Sequence, residues 1–158
     1  MPIEVGQEAP DFTLKDGQGE EVALSSFRGD KNVVLVFYPL AFSSVCTRQL
    51  TEIGGHEDRY AAEGAQVVGV SVDSRYVQRR FGEDLGLTDT ILLADFEPKG
   101  AVAKTYGVYL DKPGFSGRAS FVIDRAGVVR GASLTDTPAE IPSEDDYFAA
   151  LSVCNIDD

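Results

Sequence analysis

Residues 33–38 of this chain are apolar throughout, and residues 66–72 and 120–124 are dominated by Val, Ile and Phe. A strand with one wet face alternates apolar and polar residues, so near-continuous apolar runs of this length predict strands buried on both faces. Two shorter segments, 11–14 and 21–24, flank the turn Asp16-Gly17-Gln18-Gly19 and predict an N-terminal hairpin. Ala126-Gly127 turns the third buried run into residues 128–132, its expected antiparallel neighbour. Helical periodicity lies between these runs. Val77, Phe81 and Leu85 recur every four residues and predict a helix over 74–85. A stretch from Thr47 to about Ala62 follows the first buried strand, and 100–106 is a shorter candidate. Ser143, followed by Glu144, Asp145 and Asp146, caps and charges the start of a last helix running to about Cys154. Strands alternating with helices predict an α/β chain with a mixed central sheet in a three-layer sandwich.

Composition narrows the class. The length of 158 residues fits one domain, 1–158, and 43% apolar with 25% charged residues is ordinary for a globular protein. Lys and Arg number 14 against 26 Asp and Glu, a net charge of −12. Such a surface repels phosphates, so neither a nucleic acid nor an anionic membrane is an expected partner. The start, Met1-Pro2-Ile3-Glu4-Val5, has no basic stretch or apolar run of a signal peptide. The longest apolar run falls far short of the roughly 20 residues that span a bilayer. Cys46 and Cys154 are the two cysteines, far apart in sequence. That usage suits a reducing cytoplasm, the expected location.

Candidate chemistry concentrates in residues 38–49. Cys46 follows a buried strand and opens a helical stretch, where unpaired N–H groups and the helix dipole stabilise a thiolate. A buried structural cysteine is the competing reading of that position. Pro39 ends the strand and limits approach to the thiol, and Ser43 offers a hydroxyl three residues before the sulfur. Core packing alone calls for none of these at those spacings.

Pro39-x-x-x-Ser43-x-x-Cys46 resembles the Pro-x-x-x-Thr/Ser-x-x-Cys signature of the peroxiredoxins, which have a thioredoxin-like fold. The likeness covers almost the whole chain, including residues 6–14, 24–29 and the strand 118–124 led by Arg118. Residues 39–42, 95–98 and 103–108 look most like the alkyl hydroperoxide reductase E subgroup. Two positions depart from the pattern: Ser43 stands where Thr is usual, and Gln49 where the subgroup often has Glu.

The resemblance implies a thiol-dependent peroxidase, an antioxidant oxidoreductase of cell redox homeostasis, without cofactor or metal. Cys46 would be the peroxidatic nucleophile, with Arg118, Ser43 and backbone N–H groups holding the peroxide. An unperturbed thiol of pKa about 8.5 is about 3% ionised at pH 7, so full ionisation gains at most roughly 30-fold. That gain is about 2 kcal/mol, against ~8 kcal/mol or more for typical enzymes, so stabilising the departing oxygen must carry most of the acceleration. A hydrogen peroxide or organic hydroperoxide substrate, a small-thiol or thioredoxin/glutaredoxin-like reductant and a homodimer are the implied partners. For the homodimer, Phe42 and Phe115 are expected to be exposed beside the site.

Rival chemistries lack their residues. A disulfide oxidoreductase wants Cys-x-x-Cys, and Gln49 occupies the second position. A cysteine hydrolase needs a His base, and the sole histidine, His56, lies ten residues along from Cys46, about 15 Å on one helix. Two alternatives stay open. Cys154 is either a packed thiol or a resolving cysteine, and Cys46 could serve a peroxide sensor that reacts once instead of turning over.

Overall fold

The structure, a computed structural model, describes residues 2–156. Met1, Asp157 and Asp158, the ends of the expected 1–158 domain, lie outside the described residues. The first buried run forms β3 (Asn32–Phe37), after an N-terminal hairpin of β1 (Thr13–Asp16) and β2 (Glu21–Ala23) and one 3-10 turn (Leu24–Phe27). Two helices follow, α1 (Ser44–Gly54) and α2 (Glu57–Ala62), then β4 (Ala65–Ser71), α3 (Arg75–Leu85) and β5 (Ile91–Ala94). The chain continues through α4 (Ala101–Thr105) and the small hairpin β6 (Tyr109–Leu110) and β7 (Phe115–Ser116). It ends with β8 (Ala119–Ile123), β9 (Val129–Leu134) and α5 (Glu144–Ile156).

Seven strands form one sheet in the order β2-β1-β5-β4-β3-β8-β9. The β3–β4 and β4–β5 pairs are parallel, and β3–β8, β8–β9, β1–β2 and β1–β5 are antiparallel, so the sheet is mixed. Side chains alternate between faces along a strand. Val33, Leu35 and Phe37 accordingly pack with Val102, Ala103 and Tyr106 around α4, while Val34 and Val36 meet Tyr60, Phe148 and Leu151 from α2 and α5. This is the expected three-layer α/β sandwich.

Local chemistry shifts several expected boundaries. The hairpin lies two residues later than its pattern suggested on the first strand, because the Asp11 carboxylate accepts the Phe12 and Ser25 N–H groups and leaves the ladder. The expected helix 47–62 divides at Gly55 and His56. His56 Nδ1 there faces Glu144 Oε1 at 3.1 Å, tying the break to α5. The position expected to be an exposed Phe115 loop instead pairs as β7, and Phe115 is half-buried.

Glu57, at the start of α2, pins the segment before β5. Its carboxylate accepts Thr88 N and Oγ1, Asp89 N, and Thr90 N and Oγ1, at 2.7–3.2 Å. Burial pushes this carboxyl up, but those hydrogen bonds outweigh it and hold it below the ordinary value of 4.5. A depressed carboxyl contributes stability that is full above its unfolded pKa and lost as pH falls through its folded one. Glu57→Gln turns one acceptor into a donor facing these N–H groups, with an expected loss of about 1 kcal/mol after allowance for solvent screening. Chemical denaturation should show that gap at pH 7 and show it closing in acid, below the ordinary value; a gap independent of pH would contradict the role.

Candidate active site

The turn after β3 delivers Cys46. Tyr38 N donates to Val70 O and extends the β3–β4 ladder one residue; Pro39, which has no N–H, is buried just beyond. Phe42 takes a left-handed backbone (φ 68°), unusual outside glycine, with its ring 5.0 Å from that of Phe81 on α3. Half of Phe42 is exposed. Ser43 is the N-cap residue of α1, and its carbonyl accepts the first helical bond, from Thr47 N. The N–H groups of Ser44, Val45 and Cys46 therefore precede that bond and have no carbonyl one turn back to reach.

Cys46 is fully buried, among Tyr38, Leu50, Phe81 and Leu92. Arg118, at the entry to β8, donates from Nη2 to Cys46 Sγ at 3.1 Å across 72 residues of sequence. Only 2% of Arg118 is exposed. Its Nη1 donates to Gln49 Oε1 at 2.6 Å and its Nε to Pro138 O at 2.9 Å, while its own carbonyl accepts the Thr135 N–H. Among the described residues no carboxylate pairs with this guanidinium. A buried cation held by neutral carbonyls, with one N–H on a sulfur, suits negative charge on or beside that sulfur.

Cys46 and Arg118 are thus brought together, and Pro39 is buried one residue beyond Tyr38, which packs in the Cys46 cluster. Ser43 takes the N-cap position, but its hydroxyl donates to the Leu40 carbonyl at 2.8 Å. Cys154 does not join them. It is 4% exposed on α5, within the cluster of Val34, Val36, Ile53 and Leu151, and burial, reinforced by Asp124, pushes its thiol up to about 11. Both cysteines are free thiols.

The sequence left Gln49 open, and the structure gives it a place. Three residues beyond Cys46 on one helix face, it is buried, and its amide oxygen holds Arg118. The spacing could have signalled this; the Pro138 carbonyl had no signal in side-chain chemistry.

Residues 5–132 match the AhpC/TSA family. Alkyl hydroperoxide reductase E of Mycobacterium tuberculosis is 37% identical over 153 residues, covering 95% of this chain and 99% of that protein. The reduced 2-Cys peroxiredoxin of Plasmodium vivax superimposes with a TM-score of 0.85 at 30% identity, over 96% of this chain and 81% of the other. Peroxidoxin BcpB of Mycobacterium tuberculosis gives 0.82 at 28% identity, over 98% and 97%. A match across most of the chain, with a fold shared by two solved relatives, places this protein in the AhpC/TSA family, the peroxiredoxins.

Proposed function

We propose that this protein is a thiol-dependent peroxidase that reduces hydrogen peroxide and organic hydroperoxides through a sulfenic acid on Cys46. One observation carries the reading: a buried guanidinium without a carboxylate partner among the described residues donates to the Cys46 sulfur at 3.1 Å. A buried cation without a counter-charge is unfavourable, and a thiolate supplies that charge. In the reaction, the Cys46 sulfur attacks one peroxide oxygen with its lone pair, an S–O bond forms and the O–O bond breaks. The departing oxygen takes the electron pair, acquires a proton and leaves as water or alcohol. The sulfur loses two electrons and the peroxide gains them. Arg118 and the N–H groups at the start of α1 face the charge as it moves. The Ser43 hydroxyl gives its proton to the Leu40 carbonyl and keeps its oxygen lone pairs to accept the peroxide O–H, and Pro39 screens the sulfur from water.

The chain works as one thioredoxin-like peroxiredoxin domain, in the cytoplasm and as a homodimer. A small thiol or a thioredoxin- or glutaredoxin-like protein returns the sulfenic acid to thiol. Turnover tests the reading: with such a reductant, peroxide consumption should continue over many equivalents. Arrest after about one equivalent would indicate a sensor instead.

Cys154 serves packing in this reading, because its thiol is buried in a different cluster from Cys46 and pushed up to about 11. Cys154→Ser is expected to leave the first oxidation of Cys46 within about twofold of the parent rate, and a dimedone-type reagent should trap the sulfenic acid in both proteins. A non-reducing gel showing fast, complete disulfide formation that disappears in Cys154→Ser would make Cys154 a resolving cysteine.

A further inference from the structure

Asp73 lies two residues beyond the end of β4, yet its carboxylate reaches the turn that carries Cys46. Asp73 Oδ2 accepts the Ala41 N–H at 2.7 Å and the Ser71 hydroxyl at 2.6 Å. Ser71 Oγ accepts Gln78 Nε2 at 2.9 Å, and Gln78 Oε1 accepts the Tyr38 hydroxyl at 2.6 Å. Gln78 Nε2 also donates to Leu93 O at 2.7 Å, fixing the amide between α3 and β5. These bonds close a loop that leaves the sheet at Tyr38 and returns to the backbone at Ala41, on either side of Pro39 and Leu40. Pro39 has no N–H, and Leu40 is exposed with its carbonyl turned to Ser43, so the Ala41 N–H ties the turn to the body of the protein.

We propose that Asp73 is a positioning residue for the peroxide reaction: a carboxylate latch that holds the 39–43 turn, and with it Ser43 and the start of α1, in the reactive geometry. The inference rests on the peroxidatic reading of Cys46. Cys46 is fully buried in the latched state, so a bulky electrophile must wait for the turn to open, whereas peroxide needs the turn closed. Releasing the latch therefore moves the two reactions in opposite directions.

The test uses the full chain in a Cys154→Ser background, so that one sulfur reports. Stopped-flow oxidation by hydrogen peroxide is compared with alkylation by N-ethylmaleimide at the same pH. Asp73→Ala should slow oxidation about 10- to 100-fold, the scale of a misplacement of about 1 Å, while alkylation speeds up several-fold. Asp73→Asn keeps an acceptor for the Ala41 N–H and should recover most of the lost oxidation rate. Ser71→Ala, which leaves the Asp73 carboxylate in place, should shift both rates in the same senses by less. Glu57→Gln, which loosens the fold elsewhere, should shift neither. If Asp73→Ala fails to fold, Ser71→Ala carries the decision: unchanged rates overturn the latch and opposed shifts support it. Equal oxidation in Asp73→Ala and its parent, or a joint fall in both reactions, would also overturn it. Absence of peroxide oxidation in the parent would sink the peroxidatic reading itself, a separate failure.

Discussion

Cys46→Ser should bring peroxide consumption down to the uncatalysed background, a loss of roughly six orders of magnitude or more if the protein reaches ordinary enzymatic acceleration. A serine oxygen cannot accept the peroxide oxygen and form a stable two-electron product, so no alternative path remains at that position. The exchange keeps a hydrogen-bond acceptor for Arg118 Nη2 but removes the counter-charge a thiolate supplies, so the variant should fold with a lowered melting temperature. A folded but inactive variant separates chemistry from folding. Rapid peroxide reduction by Cys46→Ser would remove this residue from its role and turn attention to Cys154, despite a thiol pushed up to about 11.

Arg118→Ala carries the second large effect. Removing a donor aimed at developing oxyanion charge costs about 10²–10³ in rate, and oxidation of Cys46 by peroxide is expected to slow by that factor. Alkylation by a small neutral electrophile such as iodoacetamide lacks the departing oxygen and should slow much less. Arg118→Lys is informative beside it. The lysine keeps the charge but lacks the planar fork that reaches Cys46 Sγ, Gln49 Oε1 and Pro138 O together, so only part of the rate should return. Equal losses in peroxidation and alkylation would mean that Arg118 acts through the sulfur alone and does not stabilise the leaving oxygen.

The buried strands and the Cys46 turn were legible in sequence for a common reason: their signals are local. Residues 33–38 announce burial on both faces without reference to anything else, and Pro39, Ser43 and Cys46 lie within one short segment. Strand β5 carries little local signal because Ile91-Leu92-Leu93-Ala94 is short and has a single β-branched residue; pairing with β4 and β1 makes it a strand. Gly54-Gly55 marks a bend in 47–62, but the full break between α1 and α2 is not local: Glu57 beyond it holds residues 88–90. Arg118 required resemblance, since no periodicity connects it to a sulfur 72 residues away. Asp73 and Pro138 were the least legible. Asp73 acts on a backbone N–H and Pro138 through a backbone carbonyl, and every residue carries such a carbonyl.

The neutrality of Gln49 and Pro138 around Arg118 has a cost as well as a use. On the proposed function, the charge in the pocket can be followed through one cycle. Thiolate and guanidinium sum to zero, and the sum stays at zero while the electron pair passes from sulfur to oxygen. Once water or alcohol has left, a neutral sulfenic acid leaves the cation uncompensated again, and ionisation to sulfenate restores the balance. A sulfenate is itself a nucleophile toward peroxide, and the product of its reaction is a sulfinate. A pocket that cannot quench its own cation is thus set up to repeat its chemistry on the oxidised sulfur whenever peroxide arrives before the reductant. The ratio of peroxide to reducing thiol, more than the rate of the first step, then governs how long each molecule survives in service.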